Sequence, residues 1–331
     1  MERIAPKPPI AIEGPVIKTS IEPAHLFQQV TATDPLFVLA HVAVPRVAVN
    51  DWSLEICGLV KQTLSLTLDD LLQYPQHTVE AIHQCAGNPY EPTQPTRQIA
   101  NVVWRGVDVR RLLDDAGVDS AAAYIWSYGL DYGEFFGNEV THYVKDLPLS
   151  RVEQGDVLIA HELNDGPLSI EHGFPARLVV PGFYGTNSVK WICRLELSDR
   201  RPEGLFTTQL YNDAVEGGGT KPVWEVEPES MFVVPGPEAT LSTGPQEIWG
   251  RAWSSSEVVS VEVSFDGGGV WRSADVRPRK QRAWQTFSID WLPPAPGKYC
   301  LHCRATDADG RIQPSSGARN AVYSVDVTID A

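Results

Sequence analysis

The alternation of apolar and polar residues beyond about residue 250 constrains this chain more than any other feature. Val259, Val261, Val263 and Phe265 are interleaved with Ser260, Glu262 and Ser264. Successive side chains of a strand point to opposite faces, so a period of two specifies strands with one buried face. Asp266-Gly267-Gly268-Gly269 supplies a turn, and Tyr299, Leu301, Cys303 and Ala305 then repeat the pattern. Asp307-Ala308-Asp309-Gly310 turns the chain again before Tyr323, Val325, Val327 and Ile329. About seven short strands in roughly 100 residues predict an all-β, immunoglobulin-like sandwich.

Upstream the periodicity is mixed. Leu54 and Ile56, then Leu64, Leu66 and Leu68, form short alternating runs, and Asp69-Asp70-Leu71-Leu72 starts a helical turn. Val109, Leu112, Leu113 and Ala116 lie at helix spacing between Gly106 and Gly117, whereas 124–127 and 176–180 read as buried strands. The fold class is therefore α+β, with a mixed unit followed by an all-β one. Glu216-Gly217-Gly218-Gly219-Thr220-Lys221-Pro222 reads as the linker, since consecutive glycines carry little packing. The stretch to about Pro35 has no clear period and reads as an extended arm. This divides the 331 residues into an arm (1–35), a first domain (36–213) and a second (214–331).

Charge excludes some functions. With 27 Lys and Arg against 42 Asp and Glu, the net charge is −15, which repels nucleic acid. No apolar run approaches the ~18–20 residues of a membrane span, and the first residues lack the apolar core of a secretory signal. Five cysteines (57, 85, 193, 300, 303), an odd number, suit a reducing compartment. The expectation is a cytoplasmic protein. Cys300-Leu301-His302-Cys303 has the spacing of a zinc knuckle, but strand geometry sends its cysteines to opposite faces and no second pair exists. It also lacks the following His of a c-type haem site.

Cys85 differs, because Ala86-Gly87-Asn88 after it allows a backbone to approach a ligand closely. Four blocks surround it. They are 37–41 (Phe37-Val38-Leu39-Ala40-His41); 83–88 (His83-Gln84-Cys85-Ala86-Gly87-Asn88) with Trp104-Arg105 downstream; 172–182, beginning His172-Gly173-Phe174-Pro175-Ala176-Arg177; and Ser188-Val189-Lys190-Trp191. In order and spacing these resemble the sulfite oxidase family. Gly250-Arg251-Ala252-Trp253 and Ser264-Phe265-Asp266-Gly267-Gly268 extend the likeness into that family's immunoglobulin-like dimerisation domain.

The resemblance implies a molybdenum–molybdopterin cofactor with one protein thiolate on the metal, and Cys85 matches that cysteine. A soft thiolate suits a redox transition metal. Cofactor contacts carried over by position are Phe37, His41, Asp131, His172, Arg177, Ser188, Val189 and Lys190. Tyr211 matches an active-site tyrosine, and Trp104 a residue beside the substrate channel. The implied activity is oxygen-atom transfer coupled to two-electron transfer. With no haem segment in the sequence, the electrons pass to a separate acceptor. A homodimer is implied too.

Sulfite is a dianion, and the family's sulfite-oxidising members surround it with arginines. Here Leu39 stands where one is expected, Pro89-Tyr90 where two are, and Gln285 where another is. The expected pocket, bounded by Leu39, Tyr90 and Trp104, suits a small, less charged substrate. Arg105, Arg279, Lys280 and Arg282 are the remaining sources of charge. An alternative reading is a cofactor-binding or assembly protein with the same fold and little turnover.

Overall fold

The computed structural model describes residues 10–12, 17–18, 23–34, 36–87, 98–215 and 217–330. The expected Tyr90 and its neighbour Pro89 lie outside them.

Two sheets build the first part. One has the order Val144–Pro148, Tyr124–Gly129, Ile192–Ser198, Leu54–Gly58, Leu64–Leu66, antiparallel except for the central pair Ile192–Ser198 with Leu54–Gly58. The other runs Gly166–Pro167, Leu158–Leu163, Ile99–Asp108, Gln76–Gln84, and Arg177–Val179 also pairs with Leu158–Leu163. Leu54, Ile56, Ile125, Leu195 and Leu197 from the first sheet meet Val107, Ile159 and Leu178 from the second in one core. Each such side chain contributes roughly 1.5–3 kcal/mol on burial.

The expected helix spans Val109–Ala116, and its four apolar residues are all buried. The Asp108 carboxylate accepts from the Arg110 N–H at 2.9 Å, satisfying a donor that the first turn leaves free. The turn foreseen at Asp69-Asp70 is the helix Leu68–Gln73, closed at its start by reciprocal bonds between Thr67 and Asp70.

Eight strands follow along one hydrogen-bonded path: Glu229–Val234, Gln246–Trp253, Gln285–Trp291, Arg272–Val276, Val258–Ser264, Gly297–Asp307, Val325–Asp330 and Thr240–Ser242. No helix lies beyond residue 209 among the described residues. Val261, Val263, Leu301, Cys303, Ala305, Val325, Val327 and Ile329 share a core, as the alternation predicts. Val259 departs from it. A bulge between Val258 and Ser260 shifts the register, so Val258 is buried and Val259 is 58% exposed.

The glycine triplet also differs from expectation. Gly217, Gly218 and Gly219 form the tip of a hairpin between Asn212–Ala214 and Thr220–Pro222, with φ of 88°, 98° and 90°. Positive φ at three successive positions suits a tight reversal that other residues would strain. The arm is fixed to the body: Ile10–Ile12 pairs with Val44–Arg46, Ile17–Lys18 pairs with Val38–Leu39, and the Arg251 guanidinium donates to the carbonyls of Leu26, Phe27 and Gln28. Leu26, Ile82, Ile99, Tyr184, Trp253 and Trp284 pack in one cluster, so the eight-stranded part is joined to the first by apolar contact.

Candidate active site

Segments distant in sequence converge on one partly open cavity. Cys85 follows the strand Gln76–Gln84; its N–H donates to the Gln98 carbonyl at 2.9 Å, and the Gly87 N–H donates to its sulfur at 3.3 Å. Burial pushes the thiol pKa up, against the Gly87 N–H and the charge of Arg319. A thiol raised by burial alone is a resting state that a bound cation would reverse.

His41 follows the strand Val38–Leu39, and Tyr211 follows the turn Leu205–Gln209 with φ +56°. Their side chains meet, His41 Nε2 against the Tyr211 hydroxyl. Burial, with the charges of Lys190 and Lys145, lowers the His41 pKa to about 4. The ring is then neutral. Thr186 bonds the same phenol and also the Tyr143 hydroxyl, 2.7 Å from its Oγ1.

Two basic side chains also line the cavity. Arg177 begins the strand Arg177–Val179 and is 3% exposed; Nη1 donates to the His172 carbonyl at 3.1 Å and Nη2 to the Ser188 carbonyl at 2.8 Å. Lys190 Nζ donates to the Glu171 carbonyl at 2.8 Å. Neither makes a carboxylate ion pair within 4.0 Å among the described residues. Burial lowers Arg177 to about 9 and also lowers Lys190, while it raises Asp131. Asp131 sits against Gly129, where a Cβ would lie 2.3 Å from the carboxylate Oδ1. Three buried polar atoms of cavity-lining residues have no protein partner: Asp131 Oδ1, His172 Nε2 and Trp104 Nε1. Leaving such atoms unmade costs about 1–3 kcal/mol each. Basic side chains with no carboxylate at ion-pair distance, and orphaned donors and acceptors, in one lining with a thiol fit a polar, anionic group larger than water.

Of the sequence-predicted residues, Phe37, Leu39, His41, Cys85, Trp104, Asp131, His172, Arg177, Ser188, Lys190 and Tyr211 all line the cavity. Val189 does not. Its side chain is in the core and its carbonyl accepts from the Leu178 N–H. Gln285 is also absent from the wall: it is buried in the eight-stranded part, bonded to both backbone groups of Val258. The expected spare charges are engaged elsewhere, Arg105 with Glu162, Lys280 with Glu80 and Arg282 with Asp156, each at 2.6 Å, and Arg279 with the Ser255 carbonyl.

Sequence reasoning missed His83, Tyr143, Glu171, Thr186 and Arg319. His83, stacked on Phe37 at 5.8 Å, had a signal, since it lies two residues before Cys85 and shares its face. Arg319, from the last turn before Val325–Asp330, is the cation whose field reaches Cys85; no local pattern marks it.

Residues 41–206 match the family described as the oxidoreductase molybdopterin binding domain. The chain is 31% identical to mitochondrial sulfite oxidase of Rattus norvegicus over 87% of its length, and spans 58% of that relative. It is 30% identical to sulfite oxidase of Gallus gallus, covering 89% of this chain and 71% of the relative. An inducible NADH nitrate reductase of Glycine max is 29% identical over 82% of this chain and 34% of its own length. Among solved structures, the sulfane dehydrogenase SoxCD from Paracoccus pantotrophus superposes with a TM-score of 0.80 at 29% identity, covering 95% of this chain and 85% of that one.

Proposed function

This chain belongs to the sulfite oxidase family of molybdopterin-binding oxidoreductases, and from that premise we propose that it transfers an oxygen atom, with two electrons, between water and a small substrate. The observation that carries this reading is the cavity itself: its lining brings together a buried thiol, two buried basic side chains and three orphaned polar atoms. In this reading Cys85 is the protein ligand to molybdenum. Arg177 and Lys190 hold the cofactor phosphate, the group such cations suit. His41, Asp131, His172 and the Ser188 region hold the pterin. When bound, the cofactor supplies the two-electron redox centre and the transferable oxygen.

The chain's own residues divide the remaining work. Phe37, Leu39 and Trp104 form an apolar wall that excludes water from the substrate's approach. Tyr211 presents a phenol held between His41 and Thr186, so its orientation is fixed before a substrate arrives. Lys145, buried with its ammonium donating to the Phe206 carbonyl at 2.8 Å, lies 5.3 Å from the Tyr211 ring and braces it.

The wall holds Leu39 where a sulfite pocket needs a cation, and Arg177 is committed to the cofactor. Losing one charge-assisted contact to a buried anion costs about 1.5–3 kcal/mol, or roughly 10- to 150-fold in affinity. The substrate is therefore a small molecule carrying less charge than sulfite. Residues 214–331 form the immunoglobulin-like unit through which two chains pair, and a separate carrier takes the electrons.

Purified protein analysed for molybdenum and pterin, then assayed with sulfite, nitrate, sulfoxides and N-oxides and artificial electron carriers, tests the proposal. About one molybdenum per chain with turnover on an uncharged member of the panel is expected. Molybdenum without turnover favours the assembly reading, and a micromolar KM for sulfite refutes the pocket argument.

A further inference from the structure

Gly133–Phe135 and Asn138–Val140 pair antiparallel around a two-residue turn, Phe136-Gly137, with φ of +49° and +74°. A hairpin turn with both central residues left-handed favours Asn-Gly, because Asn tolerates that conformation and glycine has no Cβ to strain it. Phenylalanine is strained there, and this one is also 81% exposed. Neither the backbone nor the burial of apolar surface selects such a residue. Strain held in place at an exposed ring points to an interaction.

The neighbours indicate which. The Phe136 ring lies 4.4 Å from Phe135, Phe135 lies 5.2 Å from His41, and His41 lines the cavity and meets Tyr211. A series of ring contacts thus runs from the hairpin tip to the cavity wall. Beside the tip, Glu134 and Glu139 face each other directly across the ladder, both exposed and in no ion pair among the described residues. Like charges placed opposite one another destabilise a hairpin, so these too are not explained by local stability. An apolar centre with a charged rim is the anatomy of an interface.

We propose that this tip is where the one-electron carrier docks, and that the carrier presents a basic rim around an apolar patch over its redox group. The inference rests on the oxidoreductase reading and adds the surface and the chemistry of its acceptor. Substrate and water give oxidised substrate, two protons and two electrons. The electrons leave singly to two successive carriers, with no bond formed between the proteins. A net charge of −15 on this chain favours a basic partner and makes the encounter salt-dependent.

Cytochrome c, a basic haem protein, is the probe. Holoprotein reduced chemically, with no substrate present, is mixed in stopped flow with oxidised cytochrome c or with ferricyanide. Phe136→Asn keeps the turn and should lower the second-order rate with cytochrome c at least tenfold, leaving ferricyanide within twofold of wild type. The double substitution Glu134→Lys, Glu139→Lys should flatten the salt dependence of the cytochrome reaction only. Phe136→Asn within twofold of wild type, an unchanged salt slope, or no reaction of wild type with cytochrome c overturns the proposal. Protein that takes up no reducing equivalents refutes the oxidoreductase reading instead. Calorimetric binding of cytochrome c then decides the surface: binding weakened by Phe136→Asn supports it, and absent or unaltered binding overturns it.

Discussion

Replacing Arg177 by Met should leave the apoprotein as stable as before while weakening its hold on the cofactor. Arg177 is 3% exposed and donates to two backbone carbonyls, and burial pushes its pKa down to about 9. Between that value and the usual one the unfolded chain binds the proton and the folded chain does not, so stability rises with pH through that window. Below it the penalty for a buried charge is fully present, on the order of several kcal/mol. The two carbonyl bonds return about 1.5–3 kcal/mol each. These terms nearly cancel, so Arg177→Met in apoprotein should shift unfolding free energy by no more than about 1–2 kcal/mol, as replacing buried charges by apolar groups often does. In holoprotein it loses the charge-assisted bond to phosphate, a roughly 10- to 150-fold loss of affinity. Urea unfolding of apoprotein and molybdopterin retention on dialysis measure the two. Apoprotein destabilised by more than about 3 kcal/mol, with retention unchanged, refutes the assignment and makes Arg177 a structural residue.

Two further outcomes are expected. Tyr211→Phe removes the hydroxyl shared by His41 and Thr186 and should lower kcat by roughly tenfold, one hydrogen bond's worth, with molybdenum content unchanged; steady-state kinetics beside metal analysis checks this. His41 and His172 are both lowered to about 4 by burial, so between pH 4 and 6.5 the unfolded chain binds protons that the folded chain does not. Apoprotein stability should therefore fall as pH drops through that window, by up to about 3 kcal/mol per histidine, and His172→Asn should make the slope shallower by one proton in denaturant melts.

Much of this was legible in the sequence where the signal was local. The spacing of Val109, Leu112, Leu113 and Ala116 predicts the helix that forms, and alternation through Leu301, Cys303 and Ala305 predicts a strand's buried face. The failures have distinct causes. Val259 followed the period of two until a bulge shifted the register by one residue, and bulges leave no trace in apolar spacing. The glycine triplet looked like a linker because glycine marks both linkers and tight turns. At the cavity, residues inside the four blocks came together, whereas Tyr143 and Thr186 arrive from segments whose approach is decided by sheet order alone. Gln285 was misplaced for the same reason, since a position near Trp284 on the chain is not a position near Cys85 in space.

The central claim is that the Cys85 sulfur is the protein's bond to molybdenum. X-ray absorption at the molybdenum edge, on wild-type and Cys85→Ser protein, counts the sulfur neighbours of the metal. One sulfur fewer in the variant, with pterin still bound through Arg177 and Lys190, is the predicted result. An identical sulfur count in the two proteins, or wild-type protein that carries no molybdenum, contradicts it.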